Sequence, residues 1–316
     1  MLFICLLSLA YGLTFKDWQS KYNKQYHNSA EYLYRKAIFM KNAKFVKEHP
    51  GTELNAFADL SHEEFVKTHL GHDYEINPEN EFENDTKLKE RIYLDGKPKQ
   101  VPSSLDYRSQ MNEVKDQGNC GSCWSFCSTS VLEAVVNIKK NILKKFSEQQ
   151  LIDCDSTDNG CDGGHPQNAF QFIKDNDGLT YESNYPYEEV KGTCKSVNNK
   201  YTLTGFKRVT DGDEDNLKEL LNNYGPIAIG MDASPVAFQL YSKGTIFSND
   251  NCKKLVLNHC VTLVGYGSNA DGDYWIIRNS WGTAWGDNGY FLLARNKNNM
   301  CGVGRDSNYV TGVAEV

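Results

Sequence analysis

The chain has 316 residues, with 41 acidic side chains against 34 basic ones and a net charge of −7. That length accommodates one large or two medium domains with a substantial core. The acidic balance excludes the basic face that a nucleic-acid binder needs, and ten cysteines make disulfide or thiol chemistry the first question.

Residues 1–12, MLFICLLSLAYG, form an apolar run with no charged side chain and small residues at Ser8 and Ala10. This predicts a short secretory signal peptide, bounded at residues 1–13, although a basic n-region is missing. A buried N-terminal strand or helix is the alternative. The run is too short for a bilayer, which needs ~20 apolar residues, and no later segment qualifies. Residues 31–47 carry Leu33, Ile38, Phe39, Phe45 and Val46 among many charges, with Glu31 and Arg35 spaced to pair. They predict a surface-type amphipathic helix. After Gly71 the chain becomes polar and acidic (Pro78, Glu79, Glu81, Glu83, Asp85), as a linker does, and Asn84-Asp85-Thr86 is a glycosylation sequon. With no cysteine between 6 and 119, residues 14–93 read as a detachable segment with few core residues.

The remainder, 94–316, becomes compact in composition from Val101. Cys123 to Asn141 has helical periodicity, with Cys127, Val131, Ala134, Val135, Ile138 and Ile142 on one stripe. Ser147-Glu148-Gln149-Gln150 is a capping-box type start for a helix over 147–153, and a third helix is expected over 168–174. Strands are expected at 227–231, 261–264, 274–278 and 290–294, separated by glycine-rich turns. A helix-rich half followed by a strand-rich half predicts an α+β fold of two lobes with a cleft between them.

The segment Gln117–Phe126 places Cys120 and Cys123 three residues apart at the start of the long helix. Such a pair is either a dithiol couple or a nucleophile, Cys123, whose thiolate the helix start stabilises. A nucleophile needs a base and a group to orient that base. The later candidates are His165 and His259; His259 opens a strand, and Asn279 closes another twenty residues on. Trp281 is placed to cover their bond, and Gln117 to donate to an oxyanion beside the Cys123 N–H.

With these residues the chain resembles the papain-family (cathepsin L-like) cysteine proteases, and among them secreted amoebic enzymes. The signature is Cys120-Gly121-Ser122-Cys123-Trp124 with His259 and Asn279 lying 136 and 156 residues beyond Cys123. The likeness continues through Gly160–Gly164, Tyr185-Pro186-Tyr187, Asn279–Gly282 and Trp285-Gly286. It implies a papain-like two-lobe fold with an inhibitory propeptide. In that propeptide Glu31, Arg35, Phe39, Asn42 and Val46 form one motif and Asn55, Phe57 and Asp59 a second, with departures at Pro50 and Glu53. It implies a zymogen cleaved between Tyr93 and Val101, with catalytic Cys123, His259, Asn279 and Gln117. Gly121, Gly163, Gly164, His165, Pro166, Asn258 and Trp281 are then expected to line the substrate cleft. Disulfides are implied at Cys120–Cys161, Cys154–Cys194 and Cys252–Cys301, one of fifteen pairings open to six cysteines. Cys127 and Cys260 are left as buried small hydrophobes.

The residue five after the last disulfide cysteine, Asp306, is expected to floor the S2 pocket and to admit Arg at P2 beside bulky apolar residues. The alternative has Asp306 turned outward or paired with Arg305. The resemblance further implies polypeptide substrates, the propeptide as intramolecular inhibitor, cystatin-type protein inhibitors, a monomer, and a place in the secretory pathway, in lysosome-like vesicles or secreted. No cofactor, metal, nucleic acid or membrane partner is expected. Two other readings compete: a dithiol oxidoreductase, which would join Cys120 to Cys123, and a catalytically dead disulfide-stapled binding module. Asp211, Asp213 and Asp215 imitate a calcium loop but lack its Gly and Glu. Cys252, His259 and Cys260 imitate a zinc site, but the resemblance gives those side chains other work.

Overall fold

The computed structural model describes residues 13–71, 74–75, 101–210 and 212–316. The signal-type run at 1–12, most of the acidic linker with its sequon at Asn84, the expected cleavage interval and Asp211 lie outside the described residues.

The N-terminal stretch forms α1 (Phe15–Lys21), α2 (Ser29–Glu48) and α3 (His62–His69), whose N-caps Thr14, Asn28 and Ser61 each accept a backbone N–H. Ser61 and Glu64 close a full capping box. The stretch has a core of its own, made of Phe15, Trp18, Phe39, Ala43 and Ala58 and completed by Leu240 from the larger part of the chain. Asn55 ties the two together, its Nδ2 donating to the Gln239 carbonyl at 2.8 Å. Two sequence expectations fail here. Leu33, expected on the inner face of α2, is 62% exposed. Arg35 pairs with Glu64 at 3.0 Å rather than with Glu31, because α3 lies within reach of α2; Glu31 instead accepts from the His27 N–H at 2.8 Å.

The helical lobe contains α4 (Cys123–Lys140), α5 (Glu148–Cys154) and α6 (Pro166–Asp175). Residues Cys123 to Val136 of α4 are buried on every side, as befits a helix wedged between other helices and a sheet. Ile138, expected on its inner stripe, is 40% exposed where the helix emerges. At α5 the expected capping box is only half made. Ser147 Oγ accepts the Gln150 N–H at 3.0 Å, but the Gln150 side chain accepts from the Thr180 N–H and donates to Asn199.

The other lobe is built on a sheet. Its strands are β2 (Leu105–Asp106), β3 (Tyr201–Val209), β4 (Ile227–Met231), β5 (Ile246–Phe247), β7 (His259–Asn269), β8 (Gly272–Arg278), β9 (Tyr290–Ala294) and β10 (Ser307–Glu315). The order is β3-β10-β4-β7-β8-β9-β5, with β2 added against β7, and only β5–β9 is parallel. The four expected strands fall within β4, β7, β8 and β9. Helix α7 (Glu214–Tyr224), capped by Asp213, and the short α8 (Val236–Gln239) lie between strands. A separate two-stranded ladder joins β1 (Tyr74–Glu75) to β6 (Val256–Leu257), setting Tyr74 opposite Leu257. One core surrounds Trp275, Trp281 and Trp285 and another Val131, Phe146 and Phe170.

Disulfides join Cys120 to Cys161, Cys154 to Cys194 and Cys252 to Cys301. A fourth corrects an expectation: Cys127 and Cys260 are not separate buried thiols but a disulfide, with Cα atoms 6.0 Å apart. It forms because α4 packs against β7, so two residues far apart in sequence face each other below the cleft. Cys123 alone remains a free cysteine among the described residues. No helix among those residues is long and apolar enough to cross a membrane.

Candidate active site

Cys123 is the first residue of α4, with Ser122 at the N-cap. Its Sγ accepts the Cys260 N–H at 3.4 Å, so the strand that carries His259 also supports the sulfur. His259 opens β7, and its Nε2 lies 2.8 Å from Asn279 Oδ1, which also accepts the Ser280 N–H at 2.9 Å. That bond leaves Nδ1 as the imidazole's other nitrogen, buried and without a partner among the described residues. Trp281 stacks over the imidazole, centroids 4.7 Å apart and 25° between planes. Phe57, Phe65, Phe238 and Trp285 press on Trp281 edge-on, which excludes water from the His259–Asn279 bond.

Gln117 is fully buried. Ser280 Oγ donates to its Oε1 at 2.6 Å, so Nε2 must face the cleft as a donor. Tyr187 donates to the Gln117 carbonyl at 2.7 Å and fixes the backbone there. Ser280 and Tyr187 are positioning groups that the sequence alone does not mark, although both lie within the motifs Asn279–Gly282 and Tyr185-Pro186-Tyr187.

The cleft is covered by the chain's own residues 69–71 and 74–75. Gln117 Nε2 donates to the His69 carbonyl at 3.2 Å. The Gly71 N–H donates to the Asn258 carbonyl at 2.7 Å, and a Cβ on Gly71 would sit 3.9 Å from Cys123 Sγ. Asn258 is held by its side chain, accepting from the Ala233 N–H and donating to Ser234 Oγ. Gly121 lets the covering segment approach: a Cβ there would meet the Cys161 carbonyl at 2.6 Å and lie 3.4 Å from the Leu70 carbonyl. Gly163 and Gly164 line the same cavity as Cys123 and His259, and Gly164 has no room for a side chain beside Trp124 and Asp158.

Tyr74 enters a pocket formed by His165, Arg208 and Asp306. Its hydroxyl donates to Asp306 Oδ2 at 2.8 Å, and its ring meets that of His165 edge-on at 4.7 Å. Pro166, at the first turn of α6, follows His165 in the wall of the cleft. Asp306 is buried and does not pair with Arg305, the alternative considered from sequence; Arg208 Nε donates to its Oδ1 at 2.8 Å.

Burial governs the protonation of Cys123 and His259. It pushes the Cys123 thiol up to about 11, against the N–H groups of Cys260, Trp124 and Gly71 and its own N–H, which favour the thiolate. It lowers His259 to about 4, opposed only by the Asn279 bond. Covered in this way, the pair is a neutral thiol and a neutral imidazole.

A helix-borne thiol, an imidazole oriented by an amide and a cleft filled by an N-terminal segment together define a cysteine peptidase held in its precursor form. Residues 101–311 match the family described as papain family cysteine protease, and residues 15–65 match the cathepsin propeptide inhibitor domain (I29). The chain belongs to the papain family of cysteine proteases. It is 57% identical to cysteine proteinase 3 of Entamoeba histolytica over 97% of this chain and 96% of that one. It is 38% identical to cathepsin L of Sarcophaga peregrina over 94% and 92% respectively. Among solved structures, digestive procathepsin L 3 of Tenebrio molitor superposes with a TM-score of 0.81 at 34% identity, covering 96% of this chain and 99% of that one. The precursor of stem bromelain gives 0.80 at 33% identity, covering 94% and 97%.

Proposed function

We propose that the chain is the precursor of an endopeptidase that cleaves polypeptides through Cys123, His259 and Asn279. The observation that carries this reading is the set of influences on the pair. For both groups the largest is burial, to which the covering segment contributes, and the influences that oppose it have the signs of an ion pair. Backbone N–H groups lower the thiol, and the Asn279 bond raises the imidazole.

In the uncovered site Cys123 gives its proton to His259 and the thiolate attacks the substrate carbonyl. Gln117 Nε2 and the Cys123 N–H receive the oxyanion. The imidazolium then protonates the departing amine, leaving a thioester on Cys123. Water, deprotonated by the same imidazole, releases the acid and the thiol. Gly121, Gly163, Gly164 and the Asn258 carbonyl bind substrate main chain, and Trp281 shields the imidazole. Asp306 floors S2 and takes a donor at P2, Arg included, beside bulky apolar residues.

Residues 1–13 are the signal, 14–93 the inhibitory propeptide and 94–316 the monomeric peptidase. It works in the secretory pathway, in lysosome-like vesicles or secreted, and is open to cystatin-type inhibitors; the disulfides support an oxidising route. Cys123→Ala is expected to abolish both turnover and self-maturation. A Cys123→Ala zymogen that matures when purified alone would refute self-processing. An unchanged Arg-to-Leu ratio of kcat/KM at P2 in Asp306→Ala would refute the S2 assignment.

A further inference from the structure

The two oxygens of Asp306 are not equivalent. Oδ1 already accepts from Arg208 Nε at 2.8 Å and from Asn308 Nδ2 at 2.9 Å. Oδ2 accepts the Tyr74 hydroxyl at 2.8 Å. The sheet fixes this arrangement: Arg208 on β3 lies directly opposite Asn308 on β10, two residues from Asp306. The floor of the pocket is therefore close to neutral, with one oxygen turned towards whatever enters. Room for a long side chain comes from Gly230, where a Cβ would meet the Tyr74 hydroxyl at 2.2 Å. Both charges reach the pocket wall: Asp306 pulls the His165 imidazole up and Arg208 pulls it down, while burial, the largest influence, lowers it.

A guanidinium and a phenol make different demands on this floor. A guanidinium is best held by both oxygens of one carboxylate. Here one of them is taken, and a second cation would lie beside Arg208. A phenol needs one acceptor and no charge, and Tyr74 shows that the fit is available.

We propose that Arg208 is a specificity-determining residue of the S2 pocket, pairing with Asp306 so that the mature enzyme takes Tyr at P2 in preference to Arg. This rests on the assignment of Asp306 to the floor of S2. The test uses mature wild-type, Arg208→Met, Arg208→Lys and Asp306→Ala enzymes on peptides that differ only at P2: Tyr, Phe, Arg and Leu. Wild type should prefer Tyr to both Phe and Arg. Arg208→Met should raise the Arg-to-Tyr ratio of kcat/KM about tenfold or more, since like charges close together discriminate strongly. Arg208→Lys should leave it near the wild-type value, and the Leu peptide reports whether each variant is folded. If Arg208→Met does not fold, Arg208→Gln takes its place with the same expectation. A wild type that prefers Arg to Tyr, or an Arg-to-Tyr ratio within twofold of wild type in the neutral variants, overturns the proposal. If Asp306→Ala leaves the whole P2 profile unchanged, the assignment of Asp306 falls, and this proposal with it. If Asp306→Ala alters the profile but the Arg208 variants do not, only the role of Arg208 falls.

Discussion

His69 lies at the junction of propeptide and active site, and its protonation should loosen the two. The ring is buried against Phe57, Phe65 and Trp281, with Nδ1 2.6 Å from Thr68 Oγ1. Burial above all, with the nearby His259 and Lys24, lowers it to about 4, against a backbone bond to Phe65 that acts the other way. The sign follows directly. The docked state holds His69 neutral, whereas a released His69 takes up a proton below about 6.5. Docking is therefore at full strength above that pH and weakens as the pH falls towards 4. Between pH 7 and pH 5 the two values give about 2 kcal/mol, or about 20-fold in the docked-to-open ratio. Two non-titrating variants, His69→Leu and His69→Gln, remove this dependence by different packing. The assay is the first-order rate of self-maturation of dilute full-length zymogen, taken as variant over wild type at each pH, so that every other titrating group cancels. That ratio should fall about 20-fold from pH 7 to pH 5 for both variants. A ratio constant within twofold would show that His69 does not sense acid.

Two further outcomes follow from the positioning groups. Ser280→Ala removes the donor that turns the Gln117 amide, so kcat should fall about tenfold with KM little changed, a smaller loss than the 10²–10³ typical when an oxyanion donor is deleted outright. The double variant Cys127→Ala/Cys260→Ala should lose about 2–4 kcal/mol of stability, seen as a drop of about 5–10 °C in Tm. An unchanged Tm would mean that packing between α4 and β7 holds without the bridge.

That Cys123, His259 and Asn279 would meet in one cleft was legible because they lie in contiguous motifs: Gln117 to Trp124, Asn258-His259, and Asn279 to Trp281. What escaped depends on distance folded out of the sequence. Cys127 lies one helical turn after Cys123 and Cys260 directly follows His259, yet their bond requires α4 and β7 to touch. Arg208 lies in a strand without strict alternation, β3, interrupted by Gly205 where the Thr311 side chain crosses closely, and nothing local marks it as a neighbour of Asp306. Tyr74 was unremarkable at the edge of an acidic linker. The Glu31–Arg35 pair was expected from helical spacing alone, and a tertiary partner, Glu64, took Arg35 instead.

The covering segment takes the groups assigned to substrate in the proposed function: the Gln117 donor, the Asn258 carbonyl, the space at Cys123 and Oδ2 of Asp306. Inhibition by occupation leaves Cys123, His259 and Asn279 in place beneath, and burial also keeps the Cys123 thiol protonated. At pH 7 a thiol near 11 is about 10⁻⁴ ionised, against a few per cent for an ordinary cysteine. The intact zymogen at pH 7 should therefore be alkylated at Cys123 by iodoacetamide about 300-fold more slowly than an unstructured thiol. The mature enzyme should react faster than that thiol, and His259→Ala should remove its advantage. Lifting the cover from above the sulfur is expected to lower the thiol and raise the imidazole. A zymogen that alkylates as fast as the mature enzyme would mean that the cover blocks substrate but leaves the ion pair formed.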